Sequence, residues 1–305
     1  MTESLTPAAG ASLRAQGLNV AVGARNVLTQ VDVTFAAGRV SALCGPNGCG
    51  KSTLLRTLGG LLKPVSGRVW LDDTPLDSLR ARERARRIAL LAQTPGMPFG
   101  MTVAELVACG RYSHTGMGGR LGERDNLAIE RALHLMELEK LCTRDVTALS
   151  GGERQRAFIA MALAQEGNVL LLDEPTTYLD VRHQIDILAR IRELNRETGM
   201  TVVWVLHDLN QAAAFSDAML LMRDGKLVFS GTPDETMDPD RLMAVFATPM
   251  QRIDFQGLPM CLPVLAGHGG RSDAREPVEV GGSNVPNVSN VADVPNGLNG
   301  GRHGS

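Results

Sequence analysis

The octapeptide Gly45-Pro46-Asn47-Gly48-Cys49-Gly50-Lys51-Ser52 constrains this chain more than any other segment. It has the form G-x-x-x-x-G-K-[ST], follows the apolar run SALC and precedes KSTLLRTLGGLL, which reads as a helix. Strand, glycine-rich loop and helix in that order make a cradle for phosphates. Glycines let the backbone wrap closely around phosphate oxygens, and open amides at a helix N-terminus supply partial positive charge. Lys51 is expected to reach the β- and γ-phosphates and Ser52 to ligate Mg²⁺, with Thr53 next in the binding set. The loop points to a nucleoside triphosphate and says little about how its energy is used.

A second chemical signal follows another buried strand. Val169 to Leu172 is continuously apolar and leads into Asp173-Glu174-Pro175. Adjacent side chains on a strand point to opposite sides, so the two acids can serve different partners. Asp173 suits the Mg²⁺ shell, and Glu174 suits an attacking water as general base or orienter. Alone, such a pair equally reads as solvated acids capping a strand; beside a phosphate loop the hydrolytic reading takes precedence. NVLLLD, VRHQIDILARIRELNRE and TVVWVLHD read as strand, amphipathic helix and strand, which implies parallel pairing in an α/β sheet. AMLLMRDGKLVFSG reads as a hairpin turning at Asp224-Gly225. The stretch from Leu18 to Trp70 holds short β-type runs (VDVTF, RVSALC, GRVWL). From Thr102 to Gln165, TVAELVACG and LAIERALHLMEL carry apolar residues at helical spacing.

Composition narrows the class. The 305 residues carry a net charge of −2, with a pI near 6.3, which argues against bulk binding of nucleic acid. The Arg-rich run from Arg80 to Arg87 contains Glu83 and reads as a solvated helix face. No apolar run approaches the ~20 residues needed to cross a bilayer, and MTESLTPAAG lacks the regions of a signal peptide. A cytosolic setting is expected. Cys44, Cys49, Cys109, Cys142 and Cys261 are scattered and form no C-x-x-C pair, as reduced thiols would. From about Gly267 the chain turns to Gly, Asn, Ser, Val and Pro, with Val-Pro-Asn at Val285 and Val294; this tail is expected to be disordered.

Leu149-Ser150-Gly151-Gly152-Glu153 precedes RQRAFIAMALAQ, a helix that stops near Gly167-Asn168. Ser150 and Glu153 make a capping box, and spacing alone favours nothing more than a well-built helix start. Two glycines there also leave open amides for an anion. A second anion site without its own lysine suggests a phosphate held by another subunit.

LSGGERQR resembles the signature motif of ABC-transporter ATPases, and GPNGCGKS, LLLDEP and the later His207 stand around it in that family's order. The resemblance runs from Leu18 to about Val264. It implies an α/β fold: a P-loop NTPase core of the ABC ATPase kind, with an N-terminal antiparallel β subdomain and an inserted helical subdomain. The implied domain is 16–265, with the helical part at about 95–165, an extension at 1–15 and the tail at 266–305. Implied cofactors are ATP and Mg²⁺. Two copies would meet head to tail, with Ser150, Gly151 and Gly152 against the γ-phosphate held by the opposite copy. Gln93, ending RIALLAQ, matches the glutamine loop, which contacts Mg²⁺ and water and senses the membrane partner. Tyr178-Leu179-Asp180 matches the loop crossing the dimer interface, and His207 matches the switch histidine at the γ-phosphate.

Two positions stand apart. Where the family usually stacks an aromatic ring on adenine, this chain has Val22, so about 1–3 kcal/mol of stacking is missing by analogy with other base–aromatic contacts. Cys49 lies near Lys51 and a helix N-terminus, which lower a thiol pKa. It reads either as a reactive thiol, whose alkylation inhibits hydrolysis and from which ATP protects, or as a small tolerated side chain.

VAELVACGR, LLLDEPTTYLD, VLHDLNQA and GLPMCLP are similar to the ATPase subunits of ferric dicitrate and ferric siderophore importers. That resemblance implies two copies of this chain, two membrane permease subunits and an extracytoplasmic binding protein, with this subunit peripheral on the cytoplasmic face of the inner membrane. Haem and cobalamin importers share much of the pattern. Soluble ABC proteins of DNA repair carry long heptad insertions, whereas here only about a hundred residues without heptads separate Lys51 from Ser150. A regulator without turnover would not need Glu174 and His207.

Overall fold

The computed structural model describes residues 10–93, 99–116, 119–177 and 179–264. Tyr178, the first nine residues and the expected disordered tail lie outside the described residues. The chain opens with β1 (Leu13–Val22) and β2 (Arg25–Phe35), an antiparallel pair, then enters β3 (Val40–Cys44) and, after the glycine-rich loop, α1 (Lys51–Leu58). β4 (Ser66–Leu71) and β5 (Thr74–Pro75) return to the first sheet, whose order is β2-β1-β4-β5. Leu13 and Ala15 are buried and paired with β2 and β4, so the folded unit starts ahead of the expected boundary at residue 16.

α2 (Ala81–Arg87) and β6 (Ile88–Leu91) lead into the helical region: α3 (Val103–Cys109), α4 (Tyr112–Thr115), α5 (Glu123–Leu135) and α6 (Gly151–Ala164). Then come β7 (Val169–Asp173), α7 (Val181–Thr198), β8 (Thr201–Val205), α8 (Leu209–Phe215), β9 (Ala218–Arg223) and β10 (Lys226–Gly231). α9 (Pro233–Thr236), α10 (Pro239–Phe246) and a hairpin of β11 (Met250–Phe255) and β12 (Leu258–Pro263) close the described chain. Among the described residues no helix is long and apolar enough to cross a membrane.

The second sheet has the order β10-β9-β3-β8-β7-β6, parallel except for β10, which pairs antiparallel to β9 through the expected turn at Asp224-Gly225. Every residue of β3, β7 and β8 is buried, as continuous apolar runs covered on both faces require. Alternation then divides each strand between two cores. Ala42, Leu170, Leu172, Val202 and Trp204 pack with α3, α5 and α6, whereas Leu43, Leu171, Val203 and Val205 pack with α1 and the antiparallel sheet. The register aligns Leu43 with Val205, Val205 with Asp173 and Leu172 with Leu91. The carboxyl ends of four parallel strands therefore reach one edge together, where α/β sheets bind their ligands.

The arginines of α2 do more than face solvent. Arg82 Nε and Arg86 Nε both donate to the Ser113 carbonyl at 2.8 Å, and Arg82 Nη2 donates to the His114 carbonyl at 2.7 Å. A four-residue helix leaves its last carbonyls unpaired, and these two guanidiniums satisfy them. The run read as a solvated face thus clamps the helical region to the strand that leads to Gln93.

Candidate functional site

Two glycines of the loop have no substitute. Gly45 has φ 152°, and a Cβ there would lie 2.2 Å from the Met222 carbonyl oxygen. Gly50 has φ 108°, and a Cβ there would meet Leu28 Cδ2 at 2.7 Å. Gly50 is also the N-cap of α1 and supplies no side chain, so the first amides of that helix stay available to an anion. The Gly225 amide, from the β9–β10 turn, donates to the Cys49 carbonyl at 3.0 Å and ties the loop to the sheet. Lys51 is buried, and its Nζ donates to the carbonyls of Gly45 at 2.7 Å and Pro46 at 3.0 Å.

Ser52 Oγ donates to Asp173 Oδ1 at 2.9 Å. Asp173 is only 1% exposed, and its Oδ2 is buried without a hydrogen-bond partner. Burial pushes its carboxyl pKa up, with the Glu174 charge adding to that, against the pull of the Ser52 hydroxyl, Arg56 and Lys51. An unpaired buried carboxylate oxygen beside a hydroxyl is a hard-oxygen donor set, and it fits Mg²⁺, which takes few protein ligands and fills its shell with phosphate and water oxygens.

Glu174 follows β7 with φ 56°, a left-handed backbone that a non-glycine residue holds only when its surroundings impose it. Its Oε1 lies 2.7 Å from His207 Nε2, and its Oε2 accepts from Thr177 Oγ1 at 3.3 Å. A carboxylate and an imidazole at that separation are within hydrogen-bond reach of each other and can orient a water. Gln93, Glu174 and His207 line one cavity of about 420 Å³ with Val27, Asn47, Gly48, Gly50, Lys51, Ser52 and Thr53. A larger cavity of about 570 Å³ at the far end of α1 is lined by residues such as Leu61, Lys63, Arg68 and Arg84, and it carries none of these groups. The chemistry, not the volume, selects the smaller one.

Other expected residues lie elsewhere. Ser150, Gly151 and Gly152 do not line this cavity in the same chain. Ser150 Oγ accepts from the Glu153 amide, and Glu153 Oε2 accepts from the Ser150 amide at 2.9 Å, the capping box that spacing predicts. Asp180 caps α7 by accepting from the His183 amide at 2.9 Å, and the His183 ring lies 2.8 Å away; that amide first, and then the ring, hold its carboxyl below the usual range. Val22 is half-exposed at the end of β1, outside the cavity lining. Val27, an ordinary strand valine in the sequence, lines the cavity instead; no motif marks it. Thr177 is likewise invisible without the turn that folds it back on Glu174.

The structure favours the small-side-chain reading of Cys49 over the reactive one. The residue is 5% exposed within the core beneath the antiparallel sheet, and burial pushes its thiol pKa up, outweighing Lys51 and the backbone amides that pull it down.

Similarity to known proteins gives the family and the fold. The sequence profile of the family described as ABC transporter matches residues 28–177. The ferric enterobactin transport ATP-binding protein FepC of Escherichia coli (strain K12) is 44% identical over 266 residues, covering 87% of this chain and 96% of that protein. The iron(3+)-hydroxamate import ATP-binding protein FhuC of Bacillus subtilis (strain 168) is 43% identical over 235 residues, 77% of this chain and 87% of that one. An ABC transporter solved in an inward-facing conformation superposes with a TM-score of 0.73 at 29% identity, over 84% of this chain and 99% of that chain. The ATP-binding cassette MJ0796, dimeric in a post-hydrolysis state bound to ADP and Pi, gives 0.66 at 28% identity, over 72% and 98%. With a relative so similar across nearly its whole length, and with the loop, acid pair and histidine on one sheet edge, this chain belongs to the ABC transporter family as an ATP-binding protein.

Proposed function

We propose that this chain is the ATP-hydrolysing subunit of an ABC importer for iron(III) chelates, working as a head-to-tail pair beneath two permease subunits on the cytoplasmic face of the inner membrane, with an extracytoplasmic binding protein delivering the chelate. The observation that carries hydrolysis is the 2.7 Å contact between His207 Nε2 and Glu174 Oε1 on the wall of the cavity that Lys51 and Ser52 also line. In this reading the amides of Gly45 to Gly50, with Lys51, Ser52 and Thr53, hold the triphosphate. Ser52, Asp173 and Gln93 are the groups that would hold Mg²⁺, whose charge would offset that of the phosphate oxygens. Glu174 orients the attacking water and accepts its proton, and His207 fixes that carboxylate and faces the γ-phosphate. Ser150, Gly151 and Gly152 close over the triphosphate of the partner copy, with Asp180 at the boundary between copies. Val27, on the cavity wall, offers the nucleotide apolar contact without stacking, and Val22 could reach adenine only from beyond that wall.

The substrate class rests on relatives named for enterobactin, hydroxamate and achromobactin transport, at 39–44% identity. A second reading, cobalamin import, is favoured by a Halobacterium salinarum relative at 39% identity, of which this chain covers 58%. Glu174→Gln should retain ATP binding, accumulate an ATP-bound dimer and lower turnover by at least about 100-fold. Turnover like wild type in that variant removes Glu174 from its role. ATP hydrolysis of the chain reconstituted with its permeases should rise with binding protein loaded with a ferric chelate. A response to cobalamin alone would overturn the substrate class.

A further inference from the structure

Two glutamine amides bond to the loop that follows Glu174, and a third bonds to one of them. Gln211, in the first turn of α8 just after His207, donates from Nε2 to Gln184 Oε1 at 2.9 Å. Gln184, in the first turn of α7, donates from its own Nε2 to the carbonyls of Leu179 at 3.1 Å and Thr176 at 3.3 Å. Gln155 of α6 donates to the Pro175 carbonyl at 3.1 Å. The loop so held is the one in which Thr177 donates, through amide and hydroxyl, to the Glu174 carbonyl and to Glu174 Oε2, both at 3.3 Å. Glu174 has a left-handed backbone, which its surroundings must impose, and this loop is part of those surroundings.

We infer that Gln211 and Gln184 are a positioning pair for hydrolysis, setting the spacing between the loop that carries Glu174 and the helix that follows His207. The inference rests on the hydrolytic reading of those two residues. The pair has a direction. A glutamine side chain offers one accepting oxygen and one donating NH₂. Gln184 turns its NH₂ towards two loop carbonyls while its oxygen accepts from Gln211, so the chain of bonds runs from α8 through α7 to the loop. Linked amides polarise one another, so each bond strengthens the next. Without that donor, Gln184 Oε1 loses its partner on α8, and its amide is held by the loop carbonyls alone. The loop then loses its tie to α8, and Glu174 and His207 lose their shared reference. Neither glutamine lines the nucleotide cavity, so the effect should fall on turnover and leave nucleotide affinity alone.

The test is steady-state ATP hydrolysis by the full chain, with Glu174→Gln as a control. Q211E and Q211L should each lower kcat about three- to ten-fold, the range of one lost hydrogen bond, with KM for ATP unchanged within about two-fold. Q211K, whose ammonium still donates to Gln184 Oε1, should recover at least about half of the wild-type kcat. Q184L combined with Q211L should be no slower than the slower single variant, because both break one chain. Melting midpoints within about 2 °C of wild type qualify a variant for this comparison, and Q211M replaces Q211E if the latter melts early. The inference is overturned if Q211E and Q211K fall equally, if the double variant shows the product of the single effects, or if KM moves in place of kcat. Wild-type-like turnover in Q211E with an inactive Glu174→Gln sinks the pair alone; an active Glu174→Gln sinks the reading beneath it.

Discussion

The Cys49 side chain has a lysine ammonium and a helix N-terminus for neighbours, both of which favour a thiolate, and a covering of apolar side chains, which does not. The covering wins: burial raises this thiol above its ordinary value, as it pushes that of Cys44 up to about 12. Alkylation proceeds through the thiolate. With the protein folded at about pH 7.5, iodoacetamide should therefore label Cys49 far more slowly than it labels a free thiol, and unfolding in denaturant should remove the difference. Peptide mass spectrometry over a labelling time course measures this; labelling of Cys49 in the folded chain at the free-thiol rate would contradict the burial argument. The same residue marks a limit of sequence reading. Neighbours in sequence name the charges near a group, and those neighbours were visible; the depth of the lid depends on β2 and the β9–β10 turn, which no local pattern brings to the loop. Lys51, Ser52, Asp173 and Glu174 could be singled out from fixed local spacing, His207 only through the family resemblance, and the structure brings all five to one edge of the sheet. Val27 could not be singled out, because a valine on a strand carries no sign of which end meets a ligand.

Elements were most legible where one period dominates. β3, β7 and β8 are unbroken apolar runs, and α7 repeats its apolar positions at helical spacing, so their types followed from the sequence, as did the parallel pairing of β7 with β8. What holds elements to one another was not legible, because it runs through long-range polar contacts. Asp217, just before β9, accepts from the Val40 amide at the start of β3 at 2.8 Å and from both Nη atoms of Arg192 on α7, so one carboxylate ties a helix to two central strands. Burial opposes its ionisation, but the Arg192 hydrogen bonds, the Val40 amide and the charges of Arg192 and Arg39 together outweigh it and hold its pKa below the ordinary value. The sign follows. An acid with a depressed folded pKa contributes stability that is present above its unfolded pKa, about 3.9, and is lost as pH falls through the folded value. Asp217→Asn should lower stability near neutral pH by about 1–3 kcal/mol, through the unpaired Arg192. It should also flatten the loss of stability below about pH 4, because the group that must be protonated is gone. Urea unfolding at neutral and acid pH tests both parts; parallel curves for variant and wild type would show that Asp217 is not the linking carboxylate.

At the scale of the whole molecule, the cavity beside Lys51 lacks the segment that the sequence pairs with it. Ser150, Gly151 and Gly152 start α6 and stay outside the lining of that cavity, and the ATP-binding cassette whose fold this chain shares was solved as a dimer. In the proposed head-to-tail pair, each site would take its phosphate loop from one copy and its serine–glycine segment from the other. This arrangement has a consequence that a site built within one chain cannot imitate. Lys51→Ala removes a charge at the phosphates, and Ser150→Arg fills the space where the second copy must close; each variant alone should be inactive, since every site in its homodimer carries one damaged half. In a heterodimer of the two, one site receives both substitutions and is dead, while the other combines an intact Lys51 with an intact Ser150. Random pairing of equal amounts makes about half of the dimers mixed, so about a quarter of all sites are whole. Mixing two inactive proteins should restore hydrolysis, up to about a quarter of the wild-type rate if sites work independently. The gain should grow in proportion to the mixed fraction as the ratio is varied. Chains whose sites close within themselves would give no activity at any ratio, and that result would dismantle the shared site along with the roles assigned to Ser150, Gly151 and Gly152.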